Sequence, residues 1–233
     1  MKIISFKICP FVQRVTARLE AQNIPYEIEF ISLSDKPDWF MEISPNGQVP
    51  VLVTDNGTAL FESDAIVEYL DDILDPLEAD ITPEQRALDR AWNYQGSKQY
   101  LTQCSTMRSP DKETLVERTI NLGKAFSKAE KEISEGPFFK GDQLSNIDVA
   151  WLPLLHRADI IRNHTGYDLL EGNPKVQAWQ ERLMKTGLAE KSVPEDFEKL
   201  FTEFYLSEKT YLGGRRVPVE ENTECGASNG GCC

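Results

Sequence analysis

The stretch "KIISFKICPFVQRVTARLEAQNIPYEIEFISL" (residues 2–33) decides the fold. Its opening residues form a short apolar run that predicts a buried strand. From residue 10 to 23 apolar side chains recur at helical spacing, while polar ones such as Arg14 and Arg18 fill the other face. Residues 25–33 alternate apolar and polar side chains, which predicts a half-buried strand. The order strand, helix, strand favours a parallel pair with a right-handed crossover.

Further local signals extend this unit to about residue 75. Residues 36–44 predict a short helix or an irregular segment, and residues 49–63 hold two apolar runs around Asn56-Gly57. Asn-Gly between apolar runs is the strongest short hairpin signal. Helical periodicity restarts at residues 63–74, with Ser63 as the candidate N-cap.

The pattern changes after residue 75, and this change predicts two domains. Residues 76–83 contain two prolines and no periodicity, which indicates a linker. We therefore expect an α/β domain at 1–75 and an all-α domain at 84–212. The predicted helices of the second domain span residues 84–104, 112–134, 146–164, 173–186 and 194–208. The Gly-rich, polar stretch 213–233 predicts a disordered tail that is dispensable for ligand binding.

Composition narrows the class of partner. The chain has 233 residues and a formal net charge of -13, which disfavours nucleic acid and anionic membrane surfaces. No apolar run is long enough to span a bilayer, and the first residues lack a signal-peptide pattern, so we expect a cytoplasmic protein. The five cysteines are sparse and unevenly spaced, and neither histidine lies near one of them. This spacing predicts reduced thiols and no metal site.

Cys9-Pro10 is the first candidate for chemistry. A residue before proline avoids the α region, and proline suits the first helical position, so Cys9 is the predicted N-cap. The helix dipole and the free N–H groups would then lower the pKa of the thiol and make it nucleophilic. The alternative is a buried structural cysteine. Position 12 is Val12, so the site has one thiol, and a disulfide at Cys9 needs an external thiol such as glutathione to resolve it.

Two later segments would complete a peptide-binding site. Val49-Pro50 precedes a strand, a setting that favours a cis bond and leaves the Val49 backbone free to pair with an extended peptide. An ordinary trans proline is the alternative. Ser63 at a helix start would bind a carboxylate, and Glu62 an ammonium group. The alternative for Ser63 is plain helix capping.

Together the segments "CPF" (9–11), "KPDWF" (36–40), "PNGQVPVL" (45–52) and "ESDAIVEYLDD" (62–72) resemble the cytosolic glutathione transferases. The cysteine-proline-phenylalanine start is similar to the omega class. The resemblance covers roughly residues 1–212. It implies a thioredoxin-like N-terminal domain (βαβ-ββα) followed by an all-helical domain, with glutathione as co-substrate and a homodimer as the assembly.

The resemblance also implies roles for single residues. Cys9 would form a mixed disulfide with glutathione, beside Phe11, and Lys36 would bind the glycine carboxylate. Val49, before cis-Pro50, would pair with the cysteinyl backbone, and Glu62 and Ser63 would hold the γ-glutamyl group. The resemblance assigns Arg108 and Trp179 to a second-substrate pocket, with a surface ion pair or helix packing as the alternatives. Ser145 and Asp148 match a capping box that serves folding.

Two features depart from the family pattern. No active-site tyrosine or serine precedes Cys9, which argues against conjugation. The activities that we expect instead are thiol transfer, dehydroascorbate reduction or deglutathionylation. The substrate would be a small electrophile, a disulfide or a glutathione adduct. The terminal Cys232-Cys233 pair is not part of the pattern; a prenylation signal is one explanation. Two other functions stay open, a non-catalytic scaffold on the same fold and a specialised lyase or dehalogenase.

Overall fold

Four strands form one mixed sheet near the start of the chain. The computed structural model describes residues 1–215, so the predicted tail lies outside the described residues from residue 216 onward. The strands are β1 (Lys2–Ser5), β2 (Glu27–Phe30), β3 (Val51–Val53) and β4 (Ala59–Phe61), in the order β2-β1-β3-β4. β1 and β2 are parallel, as predicted, and β3 is antiparallel to both β1 and β4. The β3–β4 turn needs Gly57, whose φ of 85° suits glycine.

Three helices cover the sheet. They are α1 (Pro10–Glu20), α2 (Asp38–Ile43) and α3 (Ser63–Ile73). Apolar residues of α1 and α3 pack against one sheet face, and Phe40 of α2 packs against the other. The N-cap of α3 is Glu62 and Ser63 is its first helical residue, so the helix begins one residue earlier than the predicted Ser63 N-cap implies.

The rest of the described chain is helical. It contains α4 (Pro83–Ser97), α5 (Tyr100–Met107), α6 (Lys112–Glu132), α7 (Asn146–Thr165), α8 (Pro174–Lys185), α9 (Leu188–Lys191), α10 (Phe197–Tyr205) and a short 3₁₀ helix (Gly213–Arg215). No strand occurs between residues 62 and 215, which confirms the predicted fold class. The boundaries 1–75 and 84–212 stay predictions. The single helix predicted over 84–104 is in fact α4 and α5, separated at Lys98 and Gln99.

Helix α7 is the centre of the helical domain. It packs against α4 and α1, and its residues from Ile147 to Ala158 are buried on every side. Asp148 accepts hydrogen bonds from the backbone N–H of Ser145 at 2.8 Å and from its hydroxyl at 2.6 Å. The predicted capping box is therefore present, and it fixes the start of the helix that supports α1.

The polar face of α1 is buried, which its amphipathic pattern did not predict. Arg14 and Arg18 are 2% and 0% exposed. Arg14 pairs with Asp64, and Arg18 donates to Asp71 at 2.8 Å. Because α3 and α7 both pack on α1, its arginines lie between helices and need carboxylate partners there.

Strand β2 is less covered than its alternating pattern predicts. Ile28 and Phe30 are each 37% exposed. β2 is an edge strand, so β1 is its only neighbour in the sheet. Among the helices described between residues 1 and 215, none combines the length and the apolar character that crossing a membrane requires.

Candidate active site

Cys9 occupies the N-cap of α1, and Pro10 is the first helical residue, as predicted. Cys9 has extended backbone angles (φ -76°, ψ 124°), which the following proline favours. Its N–H donates to the Phe6 carbonyl at 3.0 Å, and its carbonyl accepts from the Gln13 N–H at 3.1 Å. Both bonds hold the thiol at the junction between the β1 loop and α1.

The predicted acidity of Cys9 is wrong for this structure. Part of the residue is exposed, but its thiol is largely surrounded by protein, and burial raises the pKa of the Cys9 thiol above its ordinary value. The backbone N–H groups of Val12 and Phe11 and the Arg157 guanidinium act in the opposite direction. The helix N-terminus is present as predicted, but the loss of solvation outweighs it.

A cavity of about 310 Å³ opens beside Cys9. It lies between the N-terminus of α1, the loop before β3, the N-terminus of α3 and the start of α5. Seven of the predicted site residues line this cavity, namely Cys9, Phe11, Lys36, Val49, Pro50, Glu62 and Ser63. Segments separated by more than fifty positions in sequence therefore meet at one cavity, as a peptide ligand of several functional groups requires.

The backbone around the cavity has two unusual conformations. The Val49–Pro50 peptide bond is cis, as predicted, and the β3 ladder begins two residues after Val49. The Val49 N–H and C=O thus lie outside the ladder, beside the cavity. Glu62 has a φ of 67°, which an L residue rarely adopts, and such strain is concentrated at binding sites.

The charged groups of the cavity suit a zwitterionic peptide. Lys36 supplies a cation near Gly47, where an added Cβ would lie 3.3 Å from the Lys36 Nζ. The Glu62 carboxylate accepts from the Asn46 amide at 3.2 Å. Ser63 is 5% exposed and begins α3, whose free N–H groups attract a carboxylate. Lys36 and α3 offer sites for two carboxylates, and Glu62 one for an ammonium group, which fits glutathione.

The prediction that Trp179 lines a second-substrate pocket is wrong. Its indole is fully buried in the helical core, and its Nε1 donates to the Asp148 carboxylate at 2.7 Å. Arg108 also lies outside the cavity lining: it is an exposed residue at the end of α5 and stacks over Phe204 at 5.8 Å. Trp179 thus has the helix-packing role that the sequence left as an alternative, while the assignment of Arg108 to a second-substrate pocket stays a prediction.

Sequence reasoning missed several residues of the site. Asn46 and Gln48 line the cavity from the loop before Pro50, although both belong to the segment that carries the resemblance. Leu101 reaches the cavity from α5, and no local signal marks it. In residues 1–215 no group of three or more His, Cys, Asp or Glu side chains is arranged to hold a metal ion.

A four-stranded mixed sheet with a cysteine at the N-cap of its first helix, followed by a helical domain, defines a thioredoxin-like protein with a C-terminal helical extension. Residues 8–73 match the family model of the glutathione S-transferase N-terminal domain. Residues 103–193 match that of the C-terminal domain. The chain belongs to the glutathione S-transferase family.

Named relatives point to the omega class. The chain is 31% identical over 176 residues to the probable cytosolic glutathione S-transferase DHAR1 of Oryza sativa, covering 75% of this chain and 79% of the relative. It is 30% identical over 194 residues to rat (Rattus norvegicus) glutathione S-transferase omega-1, covering 81% and 78%. The crystal structure of glutathione transferase Omega 3C from Trametes versicolor superposes with a TM-score of 0.71 at 25% identity, covering 84% and 90%.

Proposed function

We propose that this chain is a glutathione-dependent thiol transferase or reductase of omega type, and that Cys9 is its nucleophile. One observation carries this proposal: the Cys9 thiol lines the same cavity as Lys36, Glu62 and Ser63. A thiol at that point faces the sulfur of a glutathione whose two ends are held by these charged and polar groups.

Each residue has one role in the proposed complex. Lys36 binds the glycine carboxylate, and the Val49 backbone pairs with the cysteinyl residue as a neighbouring strand would. Glu62 binds the γ-glutamyl ammonium group, and the N-terminus of α3 at Ser63 binds its carboxylate. Phe11 walls the site; its ring meets Tyr100 edge-on with centroids 5.0 Å apart.

The proposed reaction exchanges one disulfide for another in two steps. The Cys9 thiol first gives its proton to solvent, and the thiolate attacks the glutathione sulfur of a mixed disulfide. A Cys9–glutathione disulfide forms, and the other half of the substrate leaves as a thiolate that takes up a proton. A second glutathione thiolate then attacks the glutathione sulfur, which releases oxidised glutathione and restores Cys9. Dehydroascorbate has no sulfur, so its first step would differ: the Cys9 thiolate adds to a carbonyl carbon, and a glutathione thiolate then attacks the Cys9 sulfur of this adduct. Ascorbate leaves with the electron pair of the broken carbon–sulfur bond, and the Cys9–glutathione disulfide forms. A second glutathione thiolate releases oxidised glutathione and restores Cys9.

Mass spectrometry tests the assignment of the nucleophile. We expect oxidised glutathione to add one glutathione to wild-type protein, at Cys9, and none to a Cys9→Ser variant. Cys104→Ser is the matched control and keeps the adduct, because Cys104 does not line the cavity. Adduct formation at Cys104, or none at all, would favour a scaffold role over an enzyme.

An activity panel tests the reaction type. We expect disulfide, dehydroascorbate and phenacyl-glutathione substrates to be turned over faster than a chloronitrobenzene. A thiol nucleophile removes glutathione, whereas conjugation needs a hydroxyl that stabilises glutathione's own thiolate. Faster conjugation than reduction by the wild-type protein would contradict the proposal.

A homodimer and a cytoplasmic location complete the proposal. Both are supported by the family and its omega-class relatives. Sedimentation analysis of the full chain tests the homodimer, and cell fractionation tests the cytoplasmic location. A monomer at micromolar concentration would contradict the proposed homodimer.

A further inference from the structure

Arg157 is a fully buried cation beneath the N-terminus of α1. It belongs to α7 and is 0% exposed. Its Nη1 donates to the Pro153 carbonyl at 2.9 Å and to the Gln13 side-chain oxygen, and its Nη2 donates to the Ile8 carbonyl at 3.1 Å. Among the residues that the structure describes, none accepts a hydrogen bond from its Nε. The guanidinium also stacks over Phe197, 5.2 Å from the ring centre.

Arg157 differs from the other buried arginines in its partners. Arg14 and Arg18 each pair with a carboxylate, Asp64 and Asp71. Within residues 1–215, Arg157 makes no salt bridge, and its hydrogen bonds all go to neutral oxygens. A buried charge is costly unless an opposite charge compensates it. The structure therefore holds a cation that is short of an anion.

Few neighbouring groups can supply that anion. The titratable side chain that interacts most strongly with Arg157 is Cys104 of α5. Tyr205 of α10, Cys9 at the N-cap of α1, Tyr100 of α5 and His156 of α7 also face Arg157. A phenol ionises at higher pH than a thiol, and burial raises the pKa of both tyrosines further, so their hydroxyls ionise after the thiols. A histidine is never an anion. The two thiols remain as the possible counter-ions.

The hydrogen bonds select Cys9 over Cys104. Nη2 of Arg157 holds the carbonyl of Ile8, the residue directly before Cys9. Nη1 holds the side chain of Gln13, whose backbone N–H donates to the Cys9 carbonyl. The guanidinium is thus fixed to the chain on both sides of Cys9, and no hydrogen bond ties it to α5. The Cys104 sulfur instead accepts from the Tyr205 hydroxyl at 3.2 Å.

We propose that Arg157 is the counter-ion of the Cys9 thiolate, a positioning residue that acts from the helical domain on the nucleophile of the thioredoxin-like domain. This inference rests on the proposed function, in which Cys9 is the nucleophile. Arg157 stays protonated through the cycle, and the Cys9 proton leaves to solvent. When Cys9 forms its disulfide with glutathione, the sulfur loses its negative charge and Arg157 loses its counter-ion. Release of glutathione restores the ion pair, so Arg157 also favours Cys9 as a leaving group.

Two kinds of substitution separate this role from simple packing. Arg157→Met removes the charge and keeps the length, and Arg157→Lys keeps the charge. Gln13→Glu leaves Arg157 in place but supplies a competing carboxylate at the position of the Gln13 oxygen that accepts from Nη1. Gln13→Glu also keeps the test available if the methionine variant fails to fold.

The measurement is the pH dependence of alkylation by iodoacetamide, read separately at Cys9 and Cys104 by peptide mapping. In Arg157→Met and Gln13→Glu we expect the Cys9 profile to move to higher pH and its rate near neutrality to fall roughly tenfold, the effect of about one pH unit. Arg157→Lys keeps most of the wild-type rate. The Cys104 profile moves less than the Cys9 profile in Arg157→Met and Gln13→Glu, because the Tyr205 hydroxyl still donates to the Cys104 sulfur.

A second readout is the glutathione ratio at which Cys9 is half-modified. Loss of the counter-ion destabilises the Cys9 thiolate. Arg157→Met and Gln13→Glu should therefore keep glutathione on Cys9 at a higher ratio of reduced to oxidised glutathione than the wild type does. Unchanged Cys9 profiles in Arg157→Met and Gln13→Glu, or a fall at Cys104 instead, would overturn the inference. Alkylation is read without glutathione, so a wild type that takes up no glutathione would sink the proposed function and leave this test standing.

Discussion

Acidification should destabilise this protein through His156, and the hydrogen bonds around this residue give the reason. Arg157 can only donate, so the Gln13 oxygen that it contacts must accept, and the Gln13 Nε2 must point the other way. That Nε2 lies 2.9 Å from the Nδ1 of His156. Nδ1 therefore accepts and carries no proton. A proton there would break this bond and place a second cation beside Arg157.

The size of the effect follows from the shift in pKa. Burial, and then the charge of Arg157, lower the pKa of His156 from 6.5 to about 3. The unfolded state binds the proton more readily than the folded state. The contribution of neutral His156 to the free energy of unfolding is therefore complete above pH 6.5 and is lost as the pH falls toward 3. At about pH 5 the linkage relation gives a loss of about 2 kcal/mol in the free energy of unfolding.

Urea unfolding at about pH 7.5 and about pH 5 measures this loss. In His156→Asn the side-chain oxygen can replace Nδ1 as an acceptor. We expect this variant to be less stable than the wild type at neutral pH. On acidification its free energy of unfolding should fall by about 2 kcal/mol less than that of the wild type. His164→Asn is the matched control, because His164 contacts the exposed carboxylate of Glu198 and should leave most of the pH dependence in place. Equal pH dependence in the wild type and His156→Asn would refute the reasoning.

Three further substitutions have definite expected outcomes. Asp148→Asn should lower the free energy of unfolding in urea by about 3 kcal/mol. The Asp148 carboxylate accepts four hydrogen bonds, and the substitution turns one of its two oxygens into a donor. Gly96→Ala should lower the free energy of unfolding by about 1–3 kcal/mol, because its Cβ would lie 2.9 Å from the Trp151 Nε1. Gly123→Ala is the control and should be neutral or stabilising, because an added Cβ there meets open space. Lys36→Met should weaken glutathione binding roughly tenfold by calorimetry without lowering the melting temperature; an unchanged affinity would remove Lys36 from the site.

The sequence predicted the sheet and its hairpin because both depend on local patterns. The alternating run that contains β2, the Asn56-Gly57 turn and the Cys9-Pro10 helix start each have one favoured backbone conformation. Their order then leaves a single compact arrangement of the first domain. The cavity was predicted from the same segments, because most of its polar residues lie at the ends of these elements.

The environment of each helix was not predictable from its own pattern. Arg14 and Arg18 belong to an ordinary polar face, and only the packing of α3 and α7 turns that face into an interior. Trp179 was assigned by position in a family, and position does not show which way an indole points. Its burial depends on Asp148, which lies thirty-one residues earlier in the chain.

The chemistry of Cys9 depends on both domains. A cysteine before proline at a helix start argues for an acidic thiol, and that argument counts only the groups that its own helix supplies. Burial at the junction of the domains raises the pKa instead, and the strongest charged group that opposes this rise, Arg157, comes from the helical domain. In the proposed function, the first domain places the nucleophile and the ligand groups, while the second sets how readily the nucleophile ionises.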